Sequence, residues 1–376
     1  MITNKKFLCS LSTELNFEFF SENFSFLDLL FFDIETTGLS PKTSHVYLIG
    51  LIQYNPDASC FEMTQYLAES EEPSEEIKVL ESFCRVALTK NCLVHFNGSS
   101  FDLPFLKHRC KALHLTESLS QLPSLDLYRE LLSMPAFFRQ MPDHKQKSFE
   151  LLIGYPREDQ LSGKEMITAF QEYAKTKDSS TLNLLFLHNE DDLKGMLALT
   201  SLGSLKQLLN GSCQITDVQE LQEPNLDLDG AMETKLLFSL SLETPVPVTL
   251  SANAEFCYIT VTENKAKIKM PLYEGTLLYF YPDYKNYYYL PFEDEAIHKS
   301  IAAYLEPSHR QKATATTCYK KISGKFLYAP GAPDLPLLKE NYRSREHYVS
   351  WPFPEPQDES LKTYLHEVLK TAVTIK

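Results

Sequence analysis

One short segment constrains this chain more than any other: Leu29-Leu30-Phe31-Phe32-Asp33-Ile34-Glu35, a run of large apolar residues interrupted by two acids. Apolar on both faces, it reads as a strand buried in a layered sheet. The turn residues Thr37-Gly38-Leu39-Ser40-Pro41 break it. Side chains alternate faces along a strand, so Asp33 and Glu35 point the same way. Two like charges at the end of a buried strand are costly unless a cation compensates them. Taken alone, Asp-x-Glu more often marks a strand with a solvated acidic face.

The segments around it predict a mixed sheet flanked by helices, an α/β arrangement. His45–Asn55 and Ser59–Leu67 read as two further strands, separated by Asn55-Pro56-Asp57. Glu72 to Lys90 reads as a helix that starts at Pro73-Ser74 and carries an apolar stripe of Ile77, Leu80, Phe83 and Cys84. Cys92–Phe96 is a fourth strand, followed by Asn97-Gly98 and a helix through Cys110; most of the chain from there to residue 205 reads as helical. Asp102 falls just after the Asn97-Gly98 turn, where capping a helix is the ordinary role of an aspartate. His188 and Asp192 stand four apart in a helix and share a face, whereas Asp191 lies about 100° round and points away. By itself the run Asn189-Glu190-Asp191-Asp192 reads as a solvated helix face. Strand Asp-x-Glu, loop-helix Asp and helix His-x-x-x-Asp in that order form a far more demanding pattern.

Those three segments, FFDIETTGLSP, HFNGSSFDLPFLKHR and HNEDDLKGMLAL, resemble the three exonuclease motifs of the DEDD superfamily, which has a ribonuclease H-like fold. The nearest resemblance is to its YprB-type branch, whose last motif begins His-Asn; Glu150, Gly154, Arg157, Asp159 and Gly163 between the motifs fit that branch as well. The resemblance spans roughly residues 27–203. It implies two-metal hydrolysis of phosphodiesters in DNA or RNA by a 3′–5′ exonuclease, with two Mg²⁺ or Mn²⁺ held by Asp33, Glu35, Asp102 and Asp192. His188 would then take the proton from the attacking water. The helix motif departs from its relatives in one respect. Histidine stands where the tyrosine-type subgroup has tyrosine, yet the three-residue spacing of that subgroup is kept, whereas histidine-type members have four. Hard carboxylate ligands and the lack of paired cysteines favour Mg²⁺ or Mn²⁺ over zinc. Asn97 and Gly98 are candidates for substrate contacts through the backbone, and Lys107, beside His108 and Arg109, for a phosphate contact.

Net charge is −14, with 18 basic and 28 acidic residues before position 206. Such a balance argues against a protein that coats long duplexes but leaves room for an enzyme that grips a few nucleotides at one end; the expected partner is a nucleic acid, single-stranded or an end. Four segments are expected: a lead-in over 1–26, the ribonuclease H-like domain over 27–205, a polar acidic linker over 206–232, and a smaller α+β domain over 233–376. In the last, five short strands precede a helix from Glu293 to Tyr304, and a final helix covers Ser360–Ala372. Its Tyr279–Tyr289 cluster and the stretch 296–350, with nine basic against four acidic residues, are candidates for guiding a nucleic acid. Eight scattered cysteines predict buried thiols in a reducing cytoplasm, not a zinc site or a disulfide framework. Glu14 and Glu18 interrupt any signal-peptide core, and no run of about 18 apolar residues predicts a membrane span. Two other functions fit the sequence less well. A non-catalytic nucleic-acid scaffold would not need all four acids, and a structure-specific endonuclease would use the C-terminal domain to choose its substrate.

Overall fold

The computed structural model describes residues 1–9, 17–20, 24–116, 119–159, 161–224, 232–331, 335–353 and 359–375. They form two compact units, residues 1–206 with 246–248, and residues 207–245 with 249–376.

In the first unit the strands are β1 (Ile2–Leu8), β2 (Leu29–Thr36), β3 (Val46–Asn55), β4 (Cys60–Leu67), β5 (Cys92–His95) and β6 (Ser124–Asp126). Its helices are α1 (Pro73–Ala87), α2 (Asp102–Ala112), α3 (Leu127–Leu131), α4 (Gln146–Leu152), α5 (Gly163–Thr176) and α6 (Ser179–Leu199). The sheet runs β1-β4-β3-β2-β5-β6. Pairing is antiparallel from β1 through β2 and parallel from β2 through β6. The result is a mixed sheet with helices packed on it. Alternation along β2 sends Leu30, Phe32 and Ile34 into one core with Val79, Leu80 and Phe83 of α1 and Phe105 of α2. Each large apolar side chain so buried stabilises the unit by roughly 1.5–3 kcal/mol. That anchorage fixes β2, and with it the direction in which Asp33 and Glu35 leave the strand. Helix α6 starts cleanly because the Asp178 carboxylate accepts from the Thr181 amide at 2.8 Å. A capping box between Ser162 and Glu165 does the same for α5.

The second unit contains α7 (Gln207–Asn210), β7 (Gln214–Pro224), β8 (Met232–Ser241), β9 (Leu250–Ala254), β10 (Cys257–Thr262), β11 (Lys265–Pro271), β12 (Tyr273–Phe280), β13 (Tyr287–Leu290) and β14 (Glu295–His298). After these come α8 (Lys299–Ala302), β15 (Gln311–Lys312), β16 (Tyr319–Tyr328), β17 (Tyr348–Trp351) and α9 (Glu359–Thr374). Three sheets result, ordered β7-β8-β11-β10-β9, β12-β16-β17 and β14-β13-β15. Helix α9 buries Leu361, Tyr364, Leu365, Val368 and Leu369, and the Tyr364 hydroxyl donates to the Tyr328 carbonyl at 2.6 Å.

Four expectations need correction. The stretch 1–26 is not merely a lead-in, because Ile2–Leu8 pairs along β4 as an edge strand. Nor is 206–232 a plain linker: Gln214–Pro224 is the edge strand β7, paired with β8, and only 225–231 lie outside the described residues. The helix expected over Glu293–Tyr304 is shared between a strand and a single helical turn, since Tyr287↔His298 and Leu290↔Glu295 pair β14 with β13. Finally, Cys9 and Cys60 are joined as a disulfide, because the β1–β4 register that sets Leu8 opposite Phe61 also brings the next residues together. The other six cysteines are free thiols. No helix among the described residues is long and apolar enough to cross a membrane.

Candidate active site

Asp33 pairs across the sheet with Gly50 of β3. A side chain at Gly50 would collide with α6, since a Cβ there would sit 1.9 Å from Asn189 Oδ1. Glycine therefore lets the helix approach the strand closely enough for Asn189 Nδ2 to donate to Asp33 Oδ2 at 2.9 Å. The Asn189 amide is held in turn by Gln65 Nε2, which donates to Asn189 Oδ1 and to the Phe186 carbonyl, each at 2.9 Å. Both amide side chains are fully buried. Asp33 is thus fixed by a satisfied internal network, not by solvent.

Helix α6 delivers His188 and Asp192 one turn apart on the same face. His188 Nε2 lies 3.4 Å from Glu35 Oε1 and 3.4 Å from Asp192 Oδ2. On the other side of the ring, Nδ1 lies 2.7 Å from Asp159 Oδ2. Asp191 does point away from the acids, as its angular position predicts, and it has a task there. Its Oδ2 accepts the backbone amides of Glu158 and Asp159 at 2.8 and 2.7 Å, which fixes the loop that carries Asp159. Arg157, on the same loop, lies 2.8 Å from Asp192 Oδ1 and 2.8 Å from Glu150 Oε2. Asp102 is the first residue of α2 and is buried.

Burial raises the carboxyls of Asp33 and Glu35 well above the usual carboxylate range, and repulsion from Asp192 adds to it. Burial likewise pushes Asp102 up to about 7, against the lowering effect of the nearby backbone of Asp102 and Ile34. Asp159 behaves oppositely. Burial alone would raise it, but the Leu161 amide, His188 and Lys147 together hold it below the usual range. Desolvated acids that repel one another are stabilised in their charged form by a multivalent cation. Glu35, His188 and Asp192 each offer one donor atom, and the three lie within 4.8 Å of one another. The residues present therefore fit a divalent metal ion. Beside them runs a cleft of about 640 Å³ with Asp33 and Asp102 on its lining, aromatic surface from Phe96, Phe101 and Tyr128, and the basic side chain of Lys145.

Of the residues singled out in the sequence, Asp33, Glu35, Asp102, His188 and Asp192 gather at this one place. Asn97 lines the cleft, but its amide is bonded to Asp126 Oδ1 at 2.8 Å and that of Gly98 to His95 Nδ1 at 3.1 Å. Neither amide is left to meet a substrate. Lys107 is half-buried and does not line the cleft. Arg109, partly exposed, pairs with the buried Glu76 at 2.6 Å. Asn189, Gln65 and Asp191 were not foreseen as parts of the site, and no side-chain role had been assigned to Arg157 or Asp159. Only their nearness in sequence to the helix motif, or their place between motifs, hinted at them.

Residues 30–202 match the model of the RNase_H superfamily. The N-terminal unit is ribonuclease H-like. Among solved structures, the chain is similar to a zinc-bound complex of E. coli ExoI with single-stranded DNA, at 12% identity and TM-score 0.32, covering 58% of this chain and 54% of that one. Similarity to E. coli Exonuclease I with a dT13 oligonucleotide has 11% identity, TM-score 0.31 and coverage of 57% and 54%. For the family B DNA polymerase of Pyrobaculum calidifontis the values are 14%, 0.38, 92% and 46%. The chain thus spans about half the length of the solved structures it matches. No curated protein matches it. The functional reading rests on the residues themselves.

Proposed function

We propose that this chain is a divalent-metal-dependent 3′–5′ exonuclease of the DEDD superfamily, YprB-type, acting on single-stranded DNA or RNA ends. The observation that carries the reading is the convergence of Asp33, Glu35, Asp102 and Asp192, from one strand and two helices, close enough to repel one another, with Asp33 and Asp102 lining a cleft that has aromatic walls. These four carboxylates would hold two Mg²⁺ or Mn²⁺. Bound divalent ions supply charge stabilisation to both the attacking and the leaving oxygen of a phosphodiester hydrolysis. The chain's own residues do the rest. Asn189 and Gln65 keep Asp33 in one rotamer, Arg157 keeps Asp192 turned toward Glu35 and His188, and the polar contacts around them leave little to reorganise on binding. Phe96, Phe101 and Tyr128 offer faces on which unpaired bases stack, and Lys145 offers a charge for a phosphate.

The test is a panel of end-labelled linear and circular single strands, with duplex controls, in DNA and RNA, incubated with Mn²⁺ or with EDTA. Stepwise shortening from the 3′ end of linear strands only, with Mn²⁺ only, is expected. Cutting of circles would turn the reading to an endonuclease, and the absence of metal-dependent cleavage from every substrate would sink it.

A further inference from the structure

His188 differs from its neighbours in what each of its ring nitrogens faces. The residue is 5% exposed. Nδ1 lies 2.7 Å from Asp159 Oδ2, a hydrogen bond that in the neutral ring puts the proton on Nδ1. In that tautomer Nε2 keeps its lone pair for a ligand, on the side of the ring that faces Glu35 Oε1 and Asp192 Oδ2. The second oxygen of Asp192 is taken up by Arg157, so Oδ2 is the one that remains for a ligand. Donor atoms bonded at about 2.1 Å to a common ion stand roughly 3.0–3.4 Å apart along the edges of an octahedron or tetrahedron. Both Nε2–oxygen separations are 3.4 Å. One more residue between His188 and Asp192 would turn the ring about 100° away from this point.

We infer that His188 is itself a metal ligand, and that Glu35, His188 and Asp192 form a mixed nitrogen–oxygen site that takes a first-row transition ion such as Mn²⁺ in preference to Mg²⁺. This deepens the nuclease reading and rests on it only for the location of the site. Imidazole is a softer donor than a carboxylate, and nitrogen ligation raises affinity along the transition series. Mg²⁺ gains little from it, because it favours oxygen ligands and keeps several of its waters. Asp159 is a positioning residue: it fixes the tautomer and plane of the ring, while Asp191 fixes Asp159 through two backbone amides.

The full chain, stripped with EDTA, is titrated with MnCl₂ and with MgCl₂ by calorimetry, and the Mn²⁺ form is examined by pulsed electron paramagnetic resonance. Expected are a directly bound ¹⁴N, replaced by ¹⁵N on histidine labelling, and an affinity for Mn²⁺ at least about 10-fold above that for Mg²⁺. His188→Gln removes the nitrogen signal and weakens Mn²⁺ binding about 10- to 100-fold. Asp159→Asn keeps the signal but weakens binding about 10-fold. Melting curves show that both variants fold; should His188→Gln not fold, the nitrogen signal of the parent protein still decides. Mn²⁺ bound without nitrogen coupling, equal affinities for Mn²⁺ and Mg²⁺, or undiminished binding in His188→Gln would overturn the inference. Nitrogen-free Mn²⁺ binding accompanied by metal-dependent cleavage sinks the inference alone. Nitrogen ligation without cleavage of any nucleic acid sinks the nuclease reading alone.

Discussion

Two aspartates, one in each unit, have opposite surroundings. Asp294 in the second unit accepts from the hydroxyls of Tyr289 and Tyr319 and pairs with Lys321 at 2.6 Å; these contacts, that with Lys321 first, draw its carboxyl down to about 2. Asp102 in the first unit is desolvated beside other acids and is pushed up to about 7. The aromatic and basic region around Asp294 satisfies itself. Tyr281 stacks on Tyr287 at 4.4 Å, Arg310 lies 5.1 Å over the Tyr288 ring, and Lys325 pairs with Glu220 at 2.7 Å. This pairing weakens the expectation that the Tyr279–Tyr289 cluster guides a nucleic acid. Groups paired within the fold build architecture, and buried acids left short of partners mark where chemistry is done.

The largest effect that can break this contrast is a matched pair of substitutions. Asp33→Asn should lower cleavage by on the order of 10³-fold or more while keeping or raising the melting temperature, because it removes one of several repelling charges. Asp294→Asn should leave cleavage within about twofold and lower stability by about 1 kcal/mol. Turnover assays with melting curves alongside decide both, and the reverse pattern would erase the distinction between the regions. Next comes Gly50→Ala. The Cβ it adds lies 1.9 Å from Asn189 Oδ1, so denaturant titration should show a loss of about 1–3 kcal/mol, with Mn²⁺ affinity falling as Asp33 loses its anchor.

A pH series sharpens the contrast further. Asp33, Glu35 and Asp102 have raised carboxyls, so between about pH 4 and 7 the metal-free folded state holds more protons than the unfolded chain. Its stability should therefore fall as pH rises through that window, and Mn²⁺ should restore it. Asp294 works in the opposite direction: its contribution is present above about pH 4 and is lost as pH falls toward 2. Thermal melts from pH 2 to 7, with and without EDTA, read the difference directly; a slope between pH 4 and 7 that Mn²⁺ leaves unchanged would count against cation binding by these acids. The smallest effect belongs to Lys107→Ala. Away from the cleft, it should change KM by less than about twofold and stability by less than about 0.5 kcal/mol.

How much was legible in the sequence follows from what each element buries. Strand β2 and helix α6 carry strong apolar signals because both pack into the core, and their periodicities placed Asp33 with Glu35 and His188 with Asp192. Ile2–Leu8 and Gln214–Pro224 were missed for one shared reason. Each is the edge strand of its sheet and mostly exposed, so it lacks the apolar alternation that announces a strand. In the site, spacing identified residues on a shared element but not the loop that supports them. Asp159 and Arg157 reach His188 and Asp192 only because Asp191 bonds the amides of residues 158 and 159. That contact spans more than 30 residues and leaves no periodic trace in the sequence.

A crystal of the full chain loaded with Mn²⁺, with anomalous diffraction recorded at the manganese edge, tests the central claim most directly. The account predicts a strong peak bounded by Glu35, His188 and Asp192, and a second beside Asp33 and Asp102. Manganese found elsewhere, or none between these side chains at saturating concentration, would contradict it.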